Sequence, residues 1–106
     1  MCGRYYIAAE DDSEEIRRIV EQLNRKLKGK PEQALLKTGE IFPTNAAPTL
    51  SRAGGVALMR WGFSGPGGKG QVINARSEGA AQRPMFREAM RSARCLVPAS
   101  HYFEWE

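Results

Sequence analysis

The feature that most constrains the fold of this 106-residue chain is a single strongly periodic segment near its start, followed by short apolar runs that glycine and proline keep interrupting. Ile16, Ile19, Val20, Leu23 and Leu27 recur at helical spacing. Asp12 or Ser13 can cap the segment, Asp12 with Glu15 makes a capping-box pattern, and Gly29 with Pro31 stops it. Glu14 to Arg18 and Glu21 to Arg25 add favourable i,i+4 pairs. The spacing therefore predicts one amphipathic scaffold helix with a basic, solvated outer face.

The remainder reads as β structure in short pieces. Residues 4–9 (RYYIAA), 56–61 (VALMRW) and 71–75 (QVINA) are expected strands, and the glycine-rich stretch 62–70 connects the last two as a hairpin. It is no phosphate loop, because Gly70-Gln71-Val72 leads into a strand rather than a helix. Residues 38–50, with two prolines and little periodicity, read as an ordered surface loop. Pro84 opens a second helix with Met85, Phe86, Ala89, Met90 and Ala93 inward. Cys95-Leu96-Val97 and Tyr102-Phe103-Glu104-Trp105 are further strand segments, and the chain stops within the second of them. The expected class is α+β: a mixed sheet with flanking helices, cut off at its C-terminal end.

Composition narrows the function. The 42% hydrophobic and 26% charged residues are those of a globular protein, no apolar run is long enough for a membrane, and no signal peptide is visible. Two cysteines make no disulfide framework, and a cytosolic reading leaves both reduced. The net charge of +4 is carried largely by arginine, whose planar fork matches phosphate, so the balance leans toward nucleic acid.

Several residues carry chemistry. Removal of Met1 exposes Cys2 as an N-terminal aminothiol, which condenses with aldehydes to a thiazolidine. Cys2 is otherwise a small hydrophobe near the start. Glu104, between Phe103 and Trp105, is either a solvent-facing strand residue or an acid that passes a proton between amine and oxygen. Asn74 and Arg76, two residues apart on an extended segment, suit a sugar or phosphate oxygen, or are a turn asparagine and a surface arginine. Arg4 shares a face with Cys2 in an extended strand. Trp61 and Trp105 can stack unpaired bases but are core candidates first. Cys2, Cys95, His101 and Glu104 match no zinc spacing, so neither a metal nor a cofactor is expected.

Met1-Cys2-Gly3-Arg4, FPTNAAPT at 42–49, Arg60-Trp61-Gly62-Phe63, Asn74-Ala75-Arg76-Ser77-Glu78, Pro84 with Phe86-Arg87, and Arg94 to Trp105 occur in one order that resembles the SOS response-associated peptidase family, the abasic-site processing proteins. The resemblance implies a mixed α/β domain with a β-barrel-like sheet and a basic cleft for single-stranded DNA. It implies that Cys2 captures the ring-opened aldehyde of an abasic site as a thiazolidine crosslink. Glu104 would be the acid/base that also serves autocatalytic removal of Met1, Asn74 would orient the sugar, and Arg4 and Arg76 would contact phosphate. A bacterial cytoplasmic, nucleoid-associated protein is implied as well. The family's domain is about twice this length, and its second half supplies a catalytic histidine in a His-x-Arg-Met-Pro-like motif that is absent here. His101 stands where the family usually has glycine, with a turn or surface role expected. Residues 1–106 thus read as the N-terminal portion of one such domain, whose unpaired edges invite a homodimer or strand exchange. Two rivals remain: an N-terminal-nucleophile cysteine peptidase acting on proteins, and a non-enzymatic single-stranded DNA-binding module.

Overall fold

The computed structural model describes residues 2–11, 13–52 and 54–104. The first strand, β1 (Tyr5–Ile7), lies at the centre of a three-stranded antiparallel sheet between β2 (Gly39–Ile41) and β8 (His101–Tyr102). A second antiparallel sheet centres on β3 (Ala46–Ser51), flanked by β4 (Val56–Arg60) and β7 (Cys95–Leu96). A small hairpin pairs β5 (Phe63–Ser64) with β6 (Gln71–Val72). With two α-helices, α1 (Glu14–Leu27) and α2 (Pro84–Ser92), the architecture is the mixed α+β class expected, and all three sheets are open.

Helix α1 forms where the periodicity placed it. Ser13 is its N-cap, its hydroxyl accepting the Ile16 N–H at 3.4 Å, and Glu14 pairs with Arg18 at 3.0 Å. Asp12, the other half of the expected capping box, lies outside the described residues. The inward stripe divides between two clusters. Val20 packs with Tyr5, Ile7, Ile41 and Ala47, whereas Leu23 and Leu27 pack with Val56. One helix face thus bridges both sheets, with Ile7, Leu23 and Ile41 wholly excluded from water. The outer face is solvated, as expected; Lys26 reaches back across 30 residues, donating to the Val56 carbonyl at 2.8 Å.

Several expectations need correction. Residues 38–50 are not loop but carry β2 and β3. Pro48 sits inside β3 because its missing N–H faces away from β4: Ala46, two residues back, turns its carbonyl to the Lys37 N–H at 3.0 Å on that side, and β7 pairs only at Leu50 and Ser51. The strands read at 71–75 and from Tyr102 onward are shorter than expected: β6 ends at Val72 and β8 at Tyr102, so Asn74 and Glu104 follow strands rather than lie in them. On α2 only Phe86 is buried, with Ala89 and Met90 half-buried; Met85, and Ala93 just past the helix, are exposed because no element among the described residues covers that flank. The glycine-rich stretch does turn a hairpin, but one that pairs β5, which lies within it, with β6, while the strand at 56–60 pairs with β3 instead. At Gly65 a Cβ would stand 2.0 Å from the Lys69 carbonyl oxygen, so the backbone approach there admits only glycine.

Candidate functional site

The residues before β1 run along one end of the first sheet. Cys2 is half-buried, its thiol donating to the Arg4 carbonyl at 3.2 Å, and its own carbonyl accepts the Asn74 side-chain amide at 3.2 Å. Seventy-two residues separate that pair in sequence, and the contact fixes the segment ahead of β1 against the segment after β6. The Arg4 carbonyl also accepts the Phe103 N–H at 3.4 Å, which carries the chain past the end of β8.

The Arg4 side chain is held at two points. Its guanidinium lies 4.3 Å from the centre of the Phe103 ring and donates to Glu40 Oε1 at 3.2 Å. Neither partner is legible in the sequence, since Glu40 belongs to the strand that reads as loop and Phe103 pairs with Arg4 only through β1–β8 packing. Gly3, Arg4, Tyr102, Phe103 and Glu104 line a cleft of about 470 Å³. A thiol, a guanidinium, a side-chain amide and an exposed carboxylate therefore gather at one end of the sheet. Such a set can bind an anionic, oxygen-rich substrate beside a nucleophile and offers a group able to exchange protons.

The remaining expected residues are placed differently. Trp61 is half-buried against the first core cluster, its ring 5.5 Å from that of Tyr5 at 57°, so it is core on one side; on the other it lines a recess with Asn74. Arg76 is exposed on a turn, its carbonyl accepting the Gly79 N–H, and borders neither the cleft nor that recess. It does not share a strand face with Asn74, because the strand ends before both. Trp105 lies outside the described residues. His101 is on β8, exposed and stacked on Tyr6 at 4.9 Å with 6° between planes, with the Phe103 ring edge-on at 5.3 Å. Burial pushes the Tyr5 phenol beneath Trp61 up to about 12, the charge of Cys95 adding to the effect. Both cysteines are free thiols, and no three metal-ligating side chains converge among the described residues. No helix among these residues is long and apolar enough to cross a membrane.

A small α+β fold with a free, half-buried cysteine ahead of its first strand is the class that this geometry defines. Over residues 1–106 the sequence matches the SOS response associated peptidase (SRAP) family, and the chain belongs to that family. It is similar to the abasic site processing protein YobE of Bacillus subtilis (strain 168), 32% identical over 120 residues that cover 100% of this chain and 49% of YobE. The abasic site processing protein YoqW of Bacillus phage SPbeta is 32% identical over 120 residues, covering 100% of this chain and 48% of YoqW. YoaM of Bacillus subtilis (strain 168), also an abasic site processing protein, is 29% identical over 113 residues, covering 100% of this chain and 48% of YoaM. The chain spans about half the length of the curated relatives it matches. No solved structure matches it.

Proposed function

We propose that this chain is the N-terminal portion of a single abasic-site processing domain and that it captures abasic sites in single-stranded DNA through Cys2. Once Met1 is removed, with Glu104 assisting as acid/base, the Cys2 amine adds to the aldehyde carbon of the ring-opened sugar. Loss of the aldehyde oxygen as water leaves an imine. The thiolate then adds to the imine carbon while the nitrogen takes a proton, so that one C–N and one C–S bond close a thiazolidine for one water released. Glu104 passes protons to the departing oxygen. Asn74 orients the sugar, Arg4 and Arg76 contact phosphate, and Trp61 and Trp105 offer faces to neighbouring bases. The reading places the protein at the nucleoid of a bacterial cytoplasm and allows the isolated chain to pair with a second copy.

The observation that supports this reading is the hydrogen bond from Asn74 to the Cys2 carbonyl, which holds Cys2, next in sequence to the Gly3 and Arg4 of the cleft wall, against the segment after β6. The relatives' names support the substrate class. Intact mass spectrometry tests it, before and after incubation with a single-stranded oligonucleotide bearing one abasic site. The expected result is a starting mass without Met1 and an oligonucleotide-sized adduct that Cys2→Ala lacks. Release of peptides from added protein substrate without DNA, and no adduct, would favour the protein-cleaving peptidase instead.

A further inference from the structure

One face of the first sheet sets a carboxylate and aromatic rings around Arg4, and strand register explains the order. Tyr6 on β1 stands opposite Glu40 on β2 and opposite His101 on β8. Arg4 lies two residues before Tyr6 and Phe103 two residues after His101, so alternation puts both on this face, just beyond the paired residues, while Tyr5 and Ile7 turn into the core. Arg4 therefore has Glu40 on one side and Phe103 on the other. The Phe103 ring covers one face of the guanidinium at 4.3 Å, and Nη1 donates to Glu40 Oε1 at 3.2 Å. That stack leaves the edge of the guanidinium as the approach for an anion, and Glu40 already takes part of the edge. Arg4 is also the only cation among the residues lining the cleft with Gly3, Tyr102, Phe103 and Glu104. Both side chains of the ion pair are 41% exposed. A pair so open to water adds little to the fold, and another anion can take the place of the carboxylate.

We infer that Glu40 is a specificity-determining residue: its carboxylate holds the donor edge of Arg4 that a backbone phosphate of single-stranded DNA would take, and so keeps undamaged strands off the cleft. The inference deepens the proposed reading and rests on it, through Arg4 as a phosphate contact. A phosphate is the same on every nucleotide, so an Arg4 with no carboxylate beside it would draw the chain to any strand without telling a lesion from its surroundings. With Glu40 in place, an arriving strand has to displace one negative charge and then lie beside it. Reversible occupancy of lesion-free DNA falls for that reason. A strand joined covalently at Cys2 is not released by the same repulsion, so the cost falls on the strands that carry no lesion.

Two measurements on the full chain test this. The first is the anisotropy of a labelled, lesion-free single strand. Glu40→Gln keeps the length of the side chain and an oxygen that accepts from Arg4, and removes only the charge. It should bind the strand about threefold more tightly, the effect of one unit charge about 6 Å from a phosphate in water. In an Arg4→Ala background the same substitution should leave binding unchanged, because without the guanidinium no phosphate is held beside residue 40. In the second, adduct formation on an oligonucleotide with one abasic site is followed against unlabelled lesion-free competitor. Glu40→Gln should be half-inhibited at about one third of the competitor concentration that the parent needs. Binding by Glu40→Gln that equals or falls below the parent overturns the inference, and an adduct formed by the same proteins leaves Cys2 capture standing. Equal tightening with and without Arg4 also overturns it, since the charge would then act on DNA in general. Tightening confined to chains that keep Arg4, with no adduct from any oligonucleotide, supports the role of Glu40 and overturns capture instead.

Discussion

Asp11 joins two ends of the chain. Its Oδ1 accepts the Ser13 N–H at 2.7 Å and its Oδ2 accepts the Ser100 hydroxyl, whose oxygen accepts the Ala8 N–H at 2.9 Å. The residue before helix α1 is thereby tied to the residue before β8. The Ser100 bond foremost, then the Ser13 N–H, hold the Asp11 carboxyl below the ordinary 3.8, with Arg17 and His101 assisting. A carboxyl whose value is lowered on folding contributes stability above its unfolded value and loses it as pH falls through the folded one. Asp11→Asn should therefore be less stable than the parent at neutral pH, with the gap closing below 3.8. Urea unfolding of both proteins across that range measures it. A gap that stays constant with pH would show that the tie does not depend on the charge. Nothing in the sequence pairs Asp11 with Ser100. The same is true of Asn74 with Cys2, where both residues were singled out but their contact depends on how the segments after β6 and before β1 pack.

Among the elements, α1 was readable because its information is local: a 3.6-residue apolar period, a cap and a glycine stop all lie within one stretch. The two-residue strands β5, β6, β7 and β8 are different, since each exists only where a partner offers hydrogen bonds, and no local pattern marks where pairing ends. That is why Glu104 was expected on a strand that stops two residues earlier. It is also why β3 was missed, its proline counting against a strand until the direction of its absent N–H is known. For α1 the local account and the packing can be separated by mutation. Ser13→Ala removes only the cap and should cost about 1 kcal/mol or less, the bond being long at 3.4 Å. Leu23→Ala opens a fully buried position between α1 and the second sheet and should cost about 2–5 kcal/mol. Paired denaturant curves check both, and equal losses would mean that α1 is held by its end rather than by its face.

For the whole molecule the telling surface is where the last strands lie. β7 is an outer strand of one sheet and β8 of the other, and Leu96, Val97 and Tyr102 there are 67%, 53% and 68% exposed. Each strand leaves one row of backbone hydrogen-bonding groups without a strand partner among the described residues, beside apolar side chains in water. An edge with both properties is a template for another strand. The proposed reading, in which the chain is part of a longer domain, supplies one intramolecular partner for it; in the 106-residue chain by itself a second copy is the partner at hand. Sedimentation equilibrium of the isolated chain should then show an average mass that rises with concentration. Val97→Lys with Tyr102→Lys, both at exposed positions, should return it to a monomer without loss of the helix signal in circular dichroism. A parent chain that stays monomeric at every concentration would mean that the twist and shortness of β7 and β8 already suffice to keep these edges from pairing.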